Sequence, residues 1–472
     1  MNVLAAGLAS CLVLTLGACT VGPNYKQPAV RLPTAWQAPA PHQGSVSALA
    51  GWWDRFEDPA LVKLQQLAEA NSPSLEQAIA RIDQSRAELS SSKADALPSV
   101  TANGKYTQSS QTFNVGDQSL ETTTAGVQIG ADASWEIDLF GKVRRTNQAA
   151  RARIDKRIDD WHDARVSLAA EVADTYAQLR GCEQLVDLYG QQSKSQGETA
   201  RLTGISARAG FSAPSDAQLA EASAASIRST YADQEAQCNL LVKSLVSLTG
   251  EDEAAVRALL APRRAKLPTP AAFDVGSIPA DLVRQRPDVA SSERELAATS
   301  AEIGAAVADL YPSLSLSGSI SRGGGSRSWS FGPTLNLPIF DGGKSRATVR
   351  SKKAGYALQL GTYREAVRKA VLEVEQALVR LDAARSREAD ADRAAKGYQA
   401  SFEANDKLYR TGSSSLIDRE SSFRTALDAQ RSLVTLRTAQ VQYWIALYKA
   451  LGGGWDAADR AVIKPSTGVT QP

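Results

Sequence analysis

The chain is poor in bulky apolar side chains. Aromatic residues make up 6% of its 472 residues, and there is one methionine. Such a supply cannot fill a thick globular core. Alanine, serine, glutamine and arginine are abundant instead, which suits long helices packed through small side chains. Histidine is nearly absent (His42 and His162), and no Cys-x-x-Cys pair occurs, so no metal site is expected. An excess of either charge is lacking too: the net charge of +2 at pH 7 gives no reason to expect a nucleic-acid partner. No internal apolar run approaches the roughly 20 residues of a spanning helix, so a membrane crossing would have to be a closed β-barrel. A nucleophile elbow, a phosphate loop and a credible pair of catalytic acids are missing, and Gly323-Gly324-Gly325 reads as a surface loop rather than a phosphate cradle. Neither an enzyme nor a cofactor is expected.

What is present is a sequence stated nearly twice. The interval from Pro73 to Pro98 equals that from Pro287 to Pro312, and both intervals end in Pro-Ser followed by an apolar residue. Gly141-Lys142 matches Gly343-Lys344, Gly210 matches Gly412, Asp216 matches Asp418 and Gly250 matches Gly452, each pair offset by 202. Internal repetition decides the architecture before any local detail. Two tandem repeats are expected, 59–270 and 271–454, each running helix, β-hairpin, long helix, tight turn, return helix. The hairpins fall at about 99–138 and about 313–341, the helical hairpins at 142–250 and 344–452, and a tail at 455–472.

Positions 1–18 read as a signal peptide. Val3 to Leu16 is mostly apolar, and Leu16-Gly17-Ala18-Cys19 has the small residues of a lipobox, so the Cys19 thiol would carry a covalent N-terminal lipid. An ordinary signal peptide with a chance cysteine is the alternative. No Lys or Arg precedes the apolar run. Thr20, where an Asp would signal inner-membrane retention, favours the outer membrane. Residues 19–58 form the lipidated tether, Pro-rich and extended to about residue 50. With Cys19 acylated, Cys182 and Cys238 remain, equally far before and after Gly210. If Gly210 turns an antiparallel helical hairpin, the two face each other, and a disulfide is expected in an oxidising compartment. Two buried free thiols are the alternative.

Along the chain, helices are expected from Pro59 to Ala70 and from Pro73 to Ala96, started by first-turn prolines. Strands follow, from Ser99 to about Tyr106 and from Thr124 to Asp138. In the second, Val127, Ile129, Ala131, Ala133 and Trp135 alternate with Gln128, Gly130, Asp132, Ser134 and Glu136. Leu314, Leu316, Gly318 and Ile320 alternate with serines in the second copy. Phe331, Leu335, Leu337 and Ile339 lie on one face of its returning strand, with Trp329 at the outer end. One greasy and one wet face with aromatics near the ends is the pattern of a transmembrane barrel. Four strands cannot close one, so the strands must come from several chains; three copies would give twelve. Lys142 to Ala207 and Lys344 to Tyr409 contain no proline and would each extend about 100 Å as helix. Ala173, Tyr176, Ala177 and Arg180, and Val371, Val374, Leu378 and Leu381, form coiled-coil-like packed stripes. The charged runs near Arg153 and Arg387 read as solvated faces. The fold class is therefore α+β.

Several motifs in order carry a family resemblance. They are Cys-Thr-Val-Gly-Pro-Asn-Tyr at 19–25, Trp52-Trp53 with Phe56 and Asp58-Pro59-Ala60-Leu61, Trp-Glu-Ile-Asp-Leu-Phe-Gly-Lys at 135–142, and Arg-Pro-Asp-Val at 286–289. Tyr-Pro-Ser-Leu-Ser-Leu-Ser-Gly at 311–318, Leu-Pro-Ile-Phe-Asp-Gly-Gly at 337–343 and Leu-Tyr-Lys-Ala-Leu-Gly-Gly-Gly-Trp at 447–455 complete the set. Across nearly the whole mature chain it resembles the TolC-like outer membrane factors, and within them the NodT lipoprotein group. The resemblance implies a homotrimer whose barrel sits in outer-membrane lipid and continues into a periplasmic α-helical coiled-coil barrel. It also implies service as the exit duct of a tripartite pump, beside a periplasmic adaptor and an inner-membrane transporter.

In that family an inward ring of acidic residues near the second helical turn closes the tip. The matching position, six past Gly412, is Asp418; the position nine past it, acidic in some members, is Ser421 here. The Asp-Ala-Gln-Arg string common just after the turn in that family stands at 428–431 here, seven residues late; seven is two helical turns, so Asp428 keeps roughly the same face. The resemblance further implies adaptor-docking tips at Arg208, Gly210, Asp216, Arg410 and Gly412. A polypeptide-secretion duct and a lipid-anchored periplasmic coiled-coil structural protein without a barrel are the rival readings.

Overall fold

The structure is a computed structural model that describes residues 20–29, 52–115, 118–268, 283 and 286–453. The expected signal peptide, Cys19, most of the tether and the tail at 455–472 lie outside the described residues. A short 3-10 turn, Trp52–Phe56, precedes α1 (Pro59–Asn71) and α2 (Pro73–Ala94). Strands β1 (Ser99–Val115) and β2 (Gln118–Ile137) lead into α3 (Lys142–Arg208), which turns into α4 (Pro214–Thr249). A short α5 (Glu253–Leu260) follows. Then come α6 (Pro287–Ala308), β3 (Ser313–Gly323), β4 (Ser326–Asn336), α7 (Lys344–Arg410) and α8 (Leu416–Ala450). The helices α3 and α7 have 67 residues each, about 100 Å of rise. Among the described residues no helix is long and apolar enough to cross a membrane.

The strands form one antiparallel sheet in the order β1-β2-β3-β4. Its register puts one stripe on one face: Tyr106 opposite Val127, Trp135 opposite Leu316, Gly318 opposite Phe331, Ile320 opposite Trp329. Val127, Ile129, Ile320, Trp329 and Phe331 are all exposed on it. Ser317, Ser319, Ser321, Asp132 and Glu136 take the other face, because side chains alternate along a strand. The first hairpin runs further than the sequence suggests: its strands have 17 and 20 residues, where Tyr106 and Thr124 were the expected limits. The extension is Thr-, Ser- and Gln-rich, so it lacks the apolar alternation while keeping β-compatible side chains. The last strand is shorter than expected, ending at Asn336. Pro338 has no N–H for the ladder, so Leu337 and Ile339 fall in the link to α7 instead of on the strand.

The helical core sits where α1, α3, α4, α7 and α8 converge. Leu61, Leu64, Tyr176, Leu179, Leu245, Leu378 and Leu447 are fully or almost fully buried there. The first expected stripe and Val374, Leu378 and Leu381 of the second face this core, while Val371 packs against a second cluster with Val289, Leu296, Tyr363 and Val367. Arg180 joins the first: its guanidinium stacks on Tyr176, pairs with Glu183 at 2.9 Å and donates to the Leu260 carbonyl. Arg153 lies on no simple solvated face either, since it bridges to Glu302 and Glu295 on α6. Neither partner is near it in sequence. Helix α5 was not foreseen, although Asp252 caps it by accepting from the Ala255 N–H at 3.0 Å.

Asp58 explains the Asp-Pro-Ala-Leu motif. It is buried, caps α1 by accepting from the Ala60 and Leu61 N–H groups (3.1 and 3.3 Å), and accepts the Tyr176 hydroxyl at 2.7 Å. Arg263 Nε lies 3.1 Å from it. Asp58→Ala would remove a cap, worth about 1 kcal/mol, and orphan a buried hydroxyl at about 1–3 kcal/mol. A clear drop in the thermal midpoint of the helical circular-dichroism signal is expected, with Asp58→Asn intermediate. An Ala variant that melts with the parent would refute this assignment.

Candidate functional site

Two ends of the molecule carry unusual constellations. At the end far from the sheet, both helical hairpins turn through the same device. The Phe211 N–H donates to the Ser206 carbonyl (2.9 Å) and the Gly210 N–H to the Ala207 carbonyl; Ser413 to Leu408 (2.8 Å) and Gly412 to Tyr409 repeat the pattern. This pair of hydrogen bonds closes a helix only if the residue after the cap is left-handed, and Gly210 and Gly412 have φ of +78° and +76°. Arg208 and Asp216 are exposed beside the first turn. Arg410 is exposed but occupied, paired with Asp406 at 2.7 Å.

Asp418 is exposed in the first turn of α8. Its N–H donates to Ser415 Oγ (3.1 Å), and Ser415 Oγ donates back to its carboxylate (2.7 Å). Ser421 and Asp428 are exposed as well, and three and ten positions past Asp418 they share its helix face. The Asp428 carboxylate is held by Arg431, one turn along.

Just behind that face lies a cluster the sequence did not reveal. Glu420, 3% exposed, accepts from Ser195 Oγ (2.8 Å) and Gln196 Nε2 (3.3 Å) on α3, and from Arg419 Nη1 (2.5 Å). Arg419 also donates to Asp406 on α7 at 2.6 Å, and this hydrogen bond is the main reason the Asp406 pKa lies below its usual value. Its guanidinium packs over Phe402. Further along, Arg431 donates to Gln192 (2.7 Å) and stacks on Tyr189, and Gln442 donates to Asp174 (2.9 Å). These polar rungs tie the second helical hairpin to the first. Their partners are separated by 224 to 268 positions in the chain, so no local signal could have found them.

Cys182 on α3 and Cys238 on α4 are bonded, with Cα atoms 5.6 Å apart and a sequence separation of 56. The bond staples the first helical hairpin midway between its turn and the sheet end.

At the sheet end, the segment that begins at Thr20 is clamped under the strands. The Val21 N–H donates to the Phe140 carbonyl (3.2 Å). Arg145, 3% exposed, donates to the carbonyls of Val21 (3.1 Å) and Gly22 (3.3 Å) and to Asn24 Oδ1 (3.0 Å). Gly22 passes so close to Gly304 that an added Cβ would lie 2.4 Å from its Cα, so neither backbone could approach with a side chain between them. Tyr25 donates to Glu293 (2.5 Å), and its own pKa is raised, first by burial and then by that carboxylate. The Thr-Val-Gly-Pro-Asn-Tyr motif is thus a strap seated across the joint between sheet and helices. The same joint is stiffened by acids at both long-helix starts. Asp138 accepts from the Val143 and Arg144 N–H groups, and Asp341 from those of Gly343 and Ser345 (2.8 Å each). Hydrogen bonds from Ser345, side chain and backbone, hold Asp341 down at about 2.

Comparison with known proteins places these features in context. Residues 64–251 and 278–453 match the family described as outer membrane efflux protein. Nodulation protein T of Rhizobium leguminosarum bv. trifolii is 32% identical over 465 residues, covering 95% of this chain and 97% of its own length. Outer membrane protein OprJ of Pseudomonas aeruginosa is 31% identical, covering 97% of this chain and 98% of its own. The solved outer-membrane channel OprN superposes with a TM-score of 0.80 at 28% identity, over 93% of this chain and 100% of that one. With a family match across both repeats, relatives aligned end to end and a shared channel fold, this chain belongs to the outer membrane efflux protein family, a family of ducts rather than of enzymes.

Proposed function

We propose that the protein is the outer-membrane channel of a tripartite efflux pump, a passive exit duct for small molecules that performs no chemistry. Three copies would close a 12-stranded barrel in the outer membrane above a periplasmic helical tunnel, working with a periplasmic adaptor and an inner-membrane transporter. One observation carries this reading: the protomer is an incomplete ring. Strands β1 and β4 have free edges within the chain, which a monomer could not expose in lipid. Helix α6 packs between α3 and α7 and buries thirteen residues, whereas its 22-residue counterpart α2 packs chiefly on α3 among the described residues and buries four. A second copy's α7 would complete α2 as the first copy's completes α6. Native mass spectrometry of the detergent-extracted protein should give a trimer that conducts ions in planar bilayers. A stable, non-conducting monomer would reject the proposal.

Within this reading Cys19 carries the lipid, and the strap that starts at Thr20 would hold that anchor beside the barrel rim. Asp418, with Ser421 and Asp428 on the same face, would line the resting aperture, and Arg208, Gly210, Asp216, Arg410 and Gly412 would present the docking tips. Three carboxylates converging on one axis would bind multivalent cations. Asp418→Ala should therefore weaken block by a trivalent cation and raise single-channel conductance. Unchanged block and unchanged conductance would remove Asp418 from the gate and leave it as the helix cap it makes with Ser415.

A further inference from the structure

The second β-hairpin ends in a feature that neither the duct nor its gate accounts for. Arg322 on β3 lies directly opposite Arg327 on β4. Both are exposed, one pair in from Gly323–Ser326, which closes the hairpin at the turn Gly324–Gly325. Register puts the pair on the apolar face, not the wet one: it continues Leu314–Leu335, Leu316–Pro333, Gly318–Phe331 and Ile320–Trp329. Trp329 is 79% and Ile320 62% exposed immediately beneath it. The apolar stripe from Leu314 to Ile320 spans about 20 Å at about 3.3 Å per residue. With strands tilted by about 40° this is a rise of about 15 Å, and the arginine row, two residues further on, lies about 20 Å above Leu314 in an outward band about 25 Å tall, in its outer part toward the headgroups.

Two like charges facing each other across strands, with Cα atoms about 4.5–5.5 Å apart, repel. Among the described residues neither guanidinium has an ion-pair partner to relieve this. On β2 the carboxylates of Asp132 and Glu136 point to the wet face, and Glu121 accepts the Ser110 hydroxyl further out. The strand that would close the barrel against β4 is β1 of another copy, and β1 contains no acidic residue at all. Assembly therefore leaves the repulsion in place and repeats it in every copy. A planar, forked donor beside a second one is suited to a phosphate, which accepts several charge-assisted hydrogen bonds at once.

We propose that Arg322 and Arg327 form a paired guanidinium seat for the phosphate of an anionic lipid in the outer leaflet, with Trp329 and Ile320 packed against its acyl chains. The proposal rests on the outer-membrane barrel reading. It assigns each copy one external lipid site and makes the hairpin tip a fixed point against the leaflet.

The test uses the full-length oligomer in mild detergent, titrated with bis-phosphorylated lipid A and with its dephosphorylated counterpart, bound lipids being counted by native mass spectrometry. The parent should prefer the phosphorylated lipid by about tenfold or more, as expected for charged hydrogen bonds. An R322Q/R327Q double variant should lose that preference while remaining an oligomer with unchanged sheet signal. Should the double variant fail to assemble, the single variants R322Q and R327Q are each expected to lose part of it. Equal binding of both lipids by the parent, or a preference that survives in the variants, would overturn the seat while leaving the barrel intact. Displacement of the phosphorylated lipid by millimolar inorganic phosphate alone would also overturn it, because it would deny Trp329 and Ile320 any share in retention. Binding of neither lipid, by a chain that does not assemble, would strike the barrel reading instead.

Discussion

Replacing Glu420 with alanine is expected to raise the mean current through reconstituted channels by about tenfold or more. The carboxylate is buried where α8 of the second helical hairpin meets α3 of the first, and it receives Ser195, Gln196 and Arg419 together. A hydrogen bond to a charged group contributes about 1.5–3 kcal/mol, and about 1.4 kcal/mol is a factor of ten in an equilibrium. Without Glu420, Arg419 keeps Asp406 on its own hairpin and a longer contact to Ser195 (3.3 Å) across hairpins, so what is lost is the pair of charged links from Ser195 and Gln196. An aperture formed by helix tips can widen only if the hairpins part, and this rung is the one nearest the second turn. Glu420→Gln preserves shape and some hydrogen bonding and should open less. Wild-type current from a Glu420→Ala oligomer of normal stability would show that the cluster has no part in closure. The expected effect exceeds that of Asp418→Ala, because Asp418 is exposed and water can replace its contacts, whereas buried groups lose theirs outright.

The second large effect is expected from the cysteines. A Cys182→Ala/Cys238→Ala variant should be destabilised by up to about 4 kcal/mol, the chain-entropy figure for a closed loop of this size. The bond sits within an antiparallel hairpin whose helices are already in register, so the loss should fall on unfolding of that hairpin rather than on the sheet. Urea titration followed by hydrogen exchange checks both parts: a lowered midpoint, and loss of protection concentrated in α3 and α4 around positions 182 and 238. Equal protection with and without a reductant would contradict this expectation. The second hairpin, α7 and α8, has no cysteine and provides an internal control.

Much of the architecture was legible because it is periodic. The offset of 202 between Gly141 and Gly343 located two 67-residue helices that both begin at the very next position. Alternation in 127–135 and 314–320 located the two strands that pair at the centre of the sheet. Where periodicity failed, so did the boundaries. The outer half of the first hairpin is mostly Thr, Ser and Gln with only scattered apolar residues, and Pro338 stops the last strand at Asn336. Helix α5 was too short for a repeat to mark it, though Asp252 is a recognisable cap.

The functional residues divide along the same line. Glycines at the two turns could be named from the sequence, since a left-handed backbone position after a helix nearly requires them. Glu420 could not, because nothing about a glutamate on an Ala- and Arg-rich helix says that Ser195 and Gln196 will be its partners. Arg145 was equally hidden: its meaning comes from a strap that lies 121 to 124 positions earlier in the chain. The arginine pair at 322 and 327 depended on register, which alone decides whether a charge at a hairpin tip faces lipid or lumen. The sequence by itself determined element type, order and turn chemistry, which are properties of neighbours within a few residues, and the repeat, which shows when the sequence is laid against itself. Only the tertiary structure decided which charges are shared between hairpins, which are left unpaired, and which helix faces of the protomer stay uncovered, because those depend on distances between segments that local propensity does not encode.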